Sequence, residues 1–193
     1  MKQIFSRDNE QLAQTLKRLK REAAVWFQLN HKNLVPFLGV IDDRSVARLP
    51  FLISPFYNHG RVGTFIHEHP ETDRPDIVLG VVAGLEYLHR NVVVHGDLKT
   101  QNVLVDEGGI PKISDFGITK ILGSTTRSVG TPPYMAPELL IPVHSNGQWK
   151  EEDLHPTTTK SSDVYSFALL VLEEDRAVPS LTPKQSTNSR RLR

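Results

Sequence analysis

His95-Gly96-Asp97-Leu98-Lys99-Thr100-Gln101-Asn102 decides how this chain is read. An Asp and an Asn stand five residues apart, with a Lys two residues past the Asp. Asp115-Phe116-Gly117 follows after a hairpin-like stretch, and Met135-Ala136-Pro137-Glu138 comes later. Each string alone says little. Their order and spacing carry the information.

Between the first two strings, Val103-Leu104-Val105, then Asp106-Glu107-Gly108-Gly109, then residues 110–113 read as a β-hairpin. Upstream, Val92-Val93-Val94 leads into His95. Before it, residues 75–90 read as a helix opened by Pro75 and carrying Ile77, Val78, Val81, Val82, Leu85 and Leu88. Residues 55–63 hold Pro55, Asn58, Gly60 and Gly63 and read as a loop. Residues 34–41 and 49–54 read as antiparallel strands around the turn Asp42-Asp43-Arg44-Ser45. Residues 8–29 form an amphipathic helix pattern through Leu12, Leu16, Leu19, Ala23 and Trp26, with Asp8 and Gln11 as its start signal. Downstream, 118–134 is a long Ser/Thr/Gly/Pro-rich loop, 142–160 a polar connection, and 163–173 a buried helix. Disorder is expected over 179–193. No internal repeat is visible.

The 193 residues suffice for one domain, and 38% hydrophobic content suffices for a core. A formal charge of +1 gives no electrostatic case for a nucleic-acid or membrane-surface partner. The absence of cysteine excludes disulfides and thiolate metal sites, and suits a reducing compartment. No early apolar run has the length of a signal peptide or a membrane span. A cytoplasmic setting is therefore expected.

In this order the three strings resemble the catalytic loop, the metal-binding turn and the end of the activation segment of a protein kinase. The resemblance spans roughly residues 22–173. It implies ATP and Mg²⁺ as cofactors and a protein substrate with Ser or Thr hydroxyls. Phosphoryl transfer needs an in-line hydroxyl, and cations to hold and neutralise the phosphates. By resemblance Asp97 is the catalytic base and Lys99 steadies the transferring phosphate. Asn102 and Asp115 are the Mg²⁺ ligands, since a hard ion takes oxygen. Lys99 points to Ser/Thr kinases, because tyrosine kinases usually have Ala in that region. Thr131, in Gly130-Thr131-Pro132-Pro133-Tyr134, would hydrogen-bond the catalytic Asp and Lys. The ordinary alternative for each acid is a turn or cap role.

Glu22, in Arg21-Glu22-Ala23-Ala24-Val25-Trp26, resembles the αC glutamate that pairs with a phosphate-contacting lysine. It also reads as a solvated helix residue. Asp163, in Ser162-Asp163-Val164-Tyr165, resembles the αF aspartate that holds the catalytic-loop backbone, or is a helix cap. Trp26, Phe37, His95 and Phe116 match the family's stacked spine, and each would also serve as plain core. Ser54 falls at the gatekeeper position. Pro55, Phe56 and Tyr57 fall at the adenine-binding hinge, whose first contact uses a carbonyl, so the missing N–H of Pro55 is immaterial.

The departures are specific. Most kinases have His-Arg-Asp, where the Arg pairs with an activation-loop phosphate. Gly96 has no side chain for that, whatever happens at Ser124, Thr125, Thr126 or Ser128. The His-Gly-Asp-Leu-Lys form resembles a tyrosine-kinase-like group abundant in fungi. No Gly-x-Gly-x-x-Gly occurs, and a glycine-rich strand pair is expected upstream of Met1. Lys2 stands 20 residues before Glu22, a spacing that suits the phosphate-contacting lysine; equally, it is only the residue after the first Met. Glu138 lacks the usual Arg partner and is expected to be solvated or protonated. His67-Glu68-His69 reads as a wet helix end rather than a metal cluster.

The expected fold is α+β, a protein-kinase-like two-lobe fold. Its N-lobe lacks the first strands, and its C-lobe is truncated after αF. Residues 1–57 form the partial N-lobe, 58–178 the partial C-lobe and 179–193 a tail. The expected function is that of a Ser/Thr protein kinase fragment. The alternatives are a pseudokinase-like binding module and a truncated product without a stable fold.

Overall fold

The computed structural model describes residues 2–43, 45–116, 130–140 and 158–176. Among these the order is α1 (Lys2–Gln28), β1 (Gly39–Ile41), β2 (Phe51–Ile53), α2 (Val62–Glu68), α3 (Arg74–Arg90), β3 (Val103–Val105), β4 (Pro111–Ile113), α4 (Pro137–Leu140) and α5 (Lys160–Arg176). Single 3₁₀ turns cover Thr100–Asn102 and Pro132–Tyr134. Of the connection expected over 142–160, residues 142–157 lie outside the described residues, as do residues 118–129 of the loop expected over 118–134 and the tail expected over 179–193.

Helix α3 forms as its pattern demands. Pro75 sits in its first turn, and Ile77, Val81, Gly84, Leu85 and Leu88 are buried on one face. Asp76 in the first turn, with His89 and Arg90 in the last, suits the helix dipole. The β3–β4 hairpin pairs Val103 with Ile113 and Val105 with Pro111. Asp106 closes its turn by accepting the N–H groups of Gly108 at 3.0 Å and Ile110 at 2.9 Å. Gly109 there has φ +77°, which glycine adopts without strain.

Several expectations are corrected. The strand expected over 34–41 is divided. Leu34 bridges Ile113 in parallel, extending the β3–β4 layer. Only Gly39–Ile41 joins β2, antiparallel, as Gly39↔Ile53 and Ile41↔Phe51. Pro36 has no N–H to continue a ladder, so the chain leaves one layer and joins another. Helix α1 begins at Lys2, not at Asp8. No Gly or Pro interrupts residues 2–28, so Asp8 lies in the helix interior. Helix α2 was not expected as such. Val62, Phe65 and Ile66 are buried at helical spacing, and the loop expected over 55–63 runs into them. His67 and Glu68 are exposed at its end and His69 is its C-cap, as a wet helix end. No cluster of three or more metal-ligating groups occurs among the described residues.

The architecture is α+β and unequal. The core joins Val62, Leu88, Leu98, Val103, Ile113 and Leu170 from α2, α3, the 95–102 loop, the hairpin and α5. The β1–β2 pair instead exposes Val40, Ile41 and Phe51. It connects to the core through Trp26, whose ring lies 5.2 Å from Phe37 and 5.9 Å from Phe116. The Trp26 Nε1–H donates to the Val35 carbonyl at 2.7 Å. The spine expected from Trp26, Phe37 and Phe116 is thus in contact, and His95 is fully buried.

Helix α3 approaches its neighbours at Gly80 and Gly84. A Cβ at Gly84 would lie 2.8 Å from the Asn33 carbonyl oxygen and 3.0 Å from Ile113 Cδ1. Ala would add about 1 kcal/mol of helix propensity. A backbone oxygen cannot rotate aside, so overpacking of roughly 1–3 kcal/mol opposes it. We expect Gly84→Ala to lower the thermal and urea midpoints. An unchanged or raised midpoint would show that the layers can part at no cost.

Candidate active site

Helix α5 opens with reciprocal capping. The Ser162 N–H donates to Thr159 Oγ1 at 3.1 Å, and the Thr159 N–H donates to Ser162 Oγ at 2.9 Å. This is a capping box with Ser in place of Glu or Gln. It fixes the first turn, which carries Asp163, only 1% exposed. Asp163 Oδ2 accepts the His95 N–H and Oδ1 accepts the Gly96 N–H, each at 2.8 Å. His89 Nε2, from the last turn of α3, lies 2.8 Å from Oδ2 and donates to it. Gly96 has φ +81°, so the loop turns where only glycine is unstrained.

His95 is locked as a neutral tautomer. Its Nδ1 accepts the Asp97 N–H at 3.2 Å. Its Nε2–H donates to the Ser114 carbonyl at 2.9 Å. Burial pushes the imidazole pKa down, against the opposing charge of Asp163. The ring therefore ties the 95–102 loop to the residue before Asp115.

Asp97, Lys99 and Thr131 close a triangle. The Lys99 ammonium donates to Asp97 Oδ2 at 2.6 Å and to Thr131 Oγ1 at 2.8 Å. The Thr131 hydroxyl donates to Asp97 Oδ1 at 2.8 Å. Gly130 brings Thr131 in: it has φ +100°, and a Cβ there would lie 3.3 Å from the Gly96 carbonyl oxygen. Asn102 Nδ2 donates to the Asp97 carbonyl at 2.9 Å and approaches Oδ2 at 3.4 Å. With its amide nitrogen so directed, the Asn102 amide oxygen remains as a hard acceptor. The Asn102 carbonyl accepts the Ser114 N–H at 2.8 Å, which sets the neighbouring Asp115, at φ +57°. Asn102 and Asp115 line one cavity of about 860 Å³ with Lys99, Thr131, Arg61 and Glu173.

Glu22 is 7% exposed on α1. Burial, then the charge of Asp115, raises its pKa from 4.5 to about 7. It has no cation partner among the described residues. The backbone of Lys2 lies far along the same helix. The two residues lie 20 apart on one continuous helix, about 30 Å at 1.5 Å per residue. Ser54, Pro55 and Tyr57 do not line the cavity. They precede Asn58, which donates to Glu107 Oε1 at 3.2 Å beside the β3–β4 turn. The Tyr57 phenol pKa is raised by burial and then by Asp106 and Glu107. Tyr57 therefore stands near the hairpin end opposite Asn102 and Ser114. Glu138 is exposed in α4, in keeping with a solvated carboxylate.

Sequence reasoning missed His89 and Arg61. His89 sits in an ordinary last helical turn, and only the fold brings it to Asp163. Arg61 directly precedes buried Val62, so the spacing of Val62, Phe65 and Ile66 was the signal that would have placed it.

Residues 1–190 match the model of the protein kinase domain. The chain is 30% identical over 170 residues to serine/threonine-protein kinase STY17 of Arabidopsis thaliana, covering 83% of this chain and 27% of that protein. It is 35% identical over 174 residues to the G-type lectin S-receptor-like serine/threonine-protein kinase RKS1 of the same plant, covering 83% and 19%. To mitogen-activated protein kinase kinase kinase 5, also of that plant, it is 29% identical over 175 residues, covering 86% and 23%. The chain spans less than a third of the length of these relatives.

Glu22 gives a pH signature. Between its ordinary value of 4.5 and its folded value of about 7, the unfolded chain has lost its proton and the folded chain keeps it. Folding stability from this group therefore falls as pH rises through that window and levels above it. Glu22→Gln keeps the shape and cannot ionise. Near pH 8 we expect it to be more stable than the parent by up to about 3 kcal/mol, with the advantage vanishing near pH 4. Parallel unfolding curves of the two proteins across that range would overturn the assignment.

Proposed function

The chain belongs to the protein kinase family, and we propose that it supplies the catalytic centre of a serine/threonine protein kinase. The reaction moves the γ-phosphoryl group of ATP to a Ser or Thr hydroxyl of a protein substrate. The observation that carries this reading is the closed triangle of Asp97, Lys99 and Thr131. Asp97 accepts the hydrogen bond of the substrate hydroxyl and takes its proton as the oxygen–phosphorus bond forms and ADP leaves. Lys99 fixes the carboxylate and presents positive charge to the phosphoryl oxygens. Thr131 holds both, so that neither rotates away.

The donor set fits Mg²⁺. Asn102 offers a free amide oxygen and Asp115 a carboxylate at the same cavity. Two hard protein oxygens suit an ion that takes its other ligands from phosphates and water. Held by Asn102 and Asp115, Mg²⁺ would supply positive charge to orient and neutralise the phosphates. Adenine contact is assigned to Ser54, Pro55 and Tyr57, on their place after β2. Glu22 is assigned to the nucleotide side through its proximity to Asp115. Lys2 is left out, because its helix carries it away from Glu22. Activity does not depend on a phosphate paired at position 96, which is glycine. A binding module without turnover is not favoured, since base, lysine and amide are all present and mutually bonded.

Asp97→Asn retains the shape and removes the base. We expect kcat for a generic Ser/Thr protein substrate to fall by about 10²–10⁴-fold. The Mg-ATP-dependent rise in Tm should persist. Phosphorylation indifferent to this substitution would sink the reading.

A further inference from the structure

We propose that Arg61 makes this site selective for protein substrates bearing an acidic or phosphorylated residue near the acceptor hydroxyl; this rests on the kinase reading above. The charged side chains of Arg61, Lys99, Asp115 and Glu173 line the cavity. Lys99 is directed to Asp97 and Thr131. Glu173 accepts the hydroxyls of Tyr134 and Thr100, the latter at 3.1 Å. Asp115 belongs to the metal side. Arg61 is different. Among the described residues its guanidinium has no ion pair and no hydrogen bond, and it does not pair with Glu173 although both line the same cavity.

Its backbone, in contrast, is held on both sides. Arg61 bridges Leu104, two residues after Asn102. The preceding Gly60 carbonyl accepts the Val105 N–H at 2.9 Å. The Arg61 carbonyl accepts the Phe65 N–H at 3.0 Å. A fixed Cα with a guanidinium that has no partner among the described residues limits the ordering cost of binding to one side chain. The guanidinium presents five donors in a planar fork that matches a carboxylate or a phosphate in two parallel bonds. The ordinary alternative is a solvated surface arginine. What sets Arg61 apart is its place in the wall shared by Lys99 and Thr131. A substrate whose hydroxyl reaches Asp97 must lay its neighbouring residues along that wall. A basic neighbour would meet Arg61 and be repelled, whereas an acidic one would complete its fork.

The test uses the intact protein, Mg-ATP and peptides with one Ser acceptor in a neutral background. Each flanking position carries Glu, phosphoserine, Ala or Lys in turn. At one or two positions we expect kcat/KM to rise about tenfold for Glu over Ala, as one partly exposed charge-assisted pair would give. Phosphoserine should exceed Glu if the fork prefers phosphate, and should match it if carboxylate suffices. Arg61→Glu should invert the order, so that Lys peptides become preferred, which a merely damaged protein cannot do. Equal use of all peptides overturns the proposal and leaves the kinase reading standing. So does an unchanged preference in Arg61→Glu accompanied by a raised KM for ATP, which would assign the guanidinium to the nucleotide. If no peptide is phosphorylated, the kinase reading fails separately. Fluorescence anisotropy of the same peptides, labelled, then decides the matter: binding without an acidic preference that Arg61→Glu removes overturns the proposal.

Discussion

The site hangs on one buried carboxylate. The 95–97 segment has neither helix nor ladder partners, yet His95 is fully buried. Its N–H groups must find an acceptor or cost about 1–3 kcal/mol each. Asp163 meets two successive N–H groups and the His89 ring at once. A buried charge is tolerated only when so satisfied, and removing its partners would be strongly unfavourable. The requirement therefore runs both ways. The loop needs Asp163, and Asp163 needs the loop. The Thr159–Ser162 cap fixes the carboxylate at the start of α5, while Ser166, one turn on, donates to the Tyr134 carbonyl at 2.8 Å. One helix thus holds both the Asp97 loop and the segment that carries Thr131, and the triangle closes between two parts hung from the same support.

His95 extends that support sideways. With Nδ1 as acceptor and Nε2–H as donor, the ring reads the Asp97 N–H on one side and the Ser114 carbonyl on the other. A charged imidazolium would have no acceptor site for the Asp97 N–H. Burial, which disfavours that charge, keeps the tautomer in place. The positions of Asp97 and Asp115 are coupled through this one neutral ring.

What was legible in the sequence follows range of interaction. The hairpin and α3 came from local periodicity and turn chemistry, which a short window contains. Helix α5, read from its apolar run as a buried helix over 163–173, instead runs from Lys160 to Arg176 and leaves Val164, Tyr165 and Leu172 exposed. Asp97, Lys99 and Asn102 were legible because one loop carries all three. Where two outcomes share one local pattern, the reading failed. Twenty residues between Lys2 and Glu22 fit a strand and a helix that bring them together, or one helix that parts them. The absence of Gly and Pro over 2–28 favours the second. Pro36 redirects a run that looked like one strand. Val62, Phe65 and Ile66 were readable as a helix, but the Gly and Asn before them drew the segment into a loop. The bond of His89 to Asp163 links residues 74 apart, and no window could contain it.

The packing also divides the work of the protein. The residues that would move a proton or hold a metal rest on side chains with almost no exposure, among them Leu98, Val103, Ile113 and Leu170. The β1–β2 pair carries three residues per strand and leaves Val40, Ile41 and Phe51 half exposed. A two-stranded sheet is marginal by itself. Trp26 helps link it to the core, through Phe37, Phe116 and the Val35 carbonyl. The geometry around Asp97 is therefore set by contacts that do not pass through β1 or β2. Ser54 and the residues after it depend on both parts, because they leave β2 and reach the β3–β4 turn. Movement of the β1–β2 pair would be felt first at those residues, and at the Asp97 triangle through Trp26 and Phe116 and through the bridge of Arg61 to Leu104.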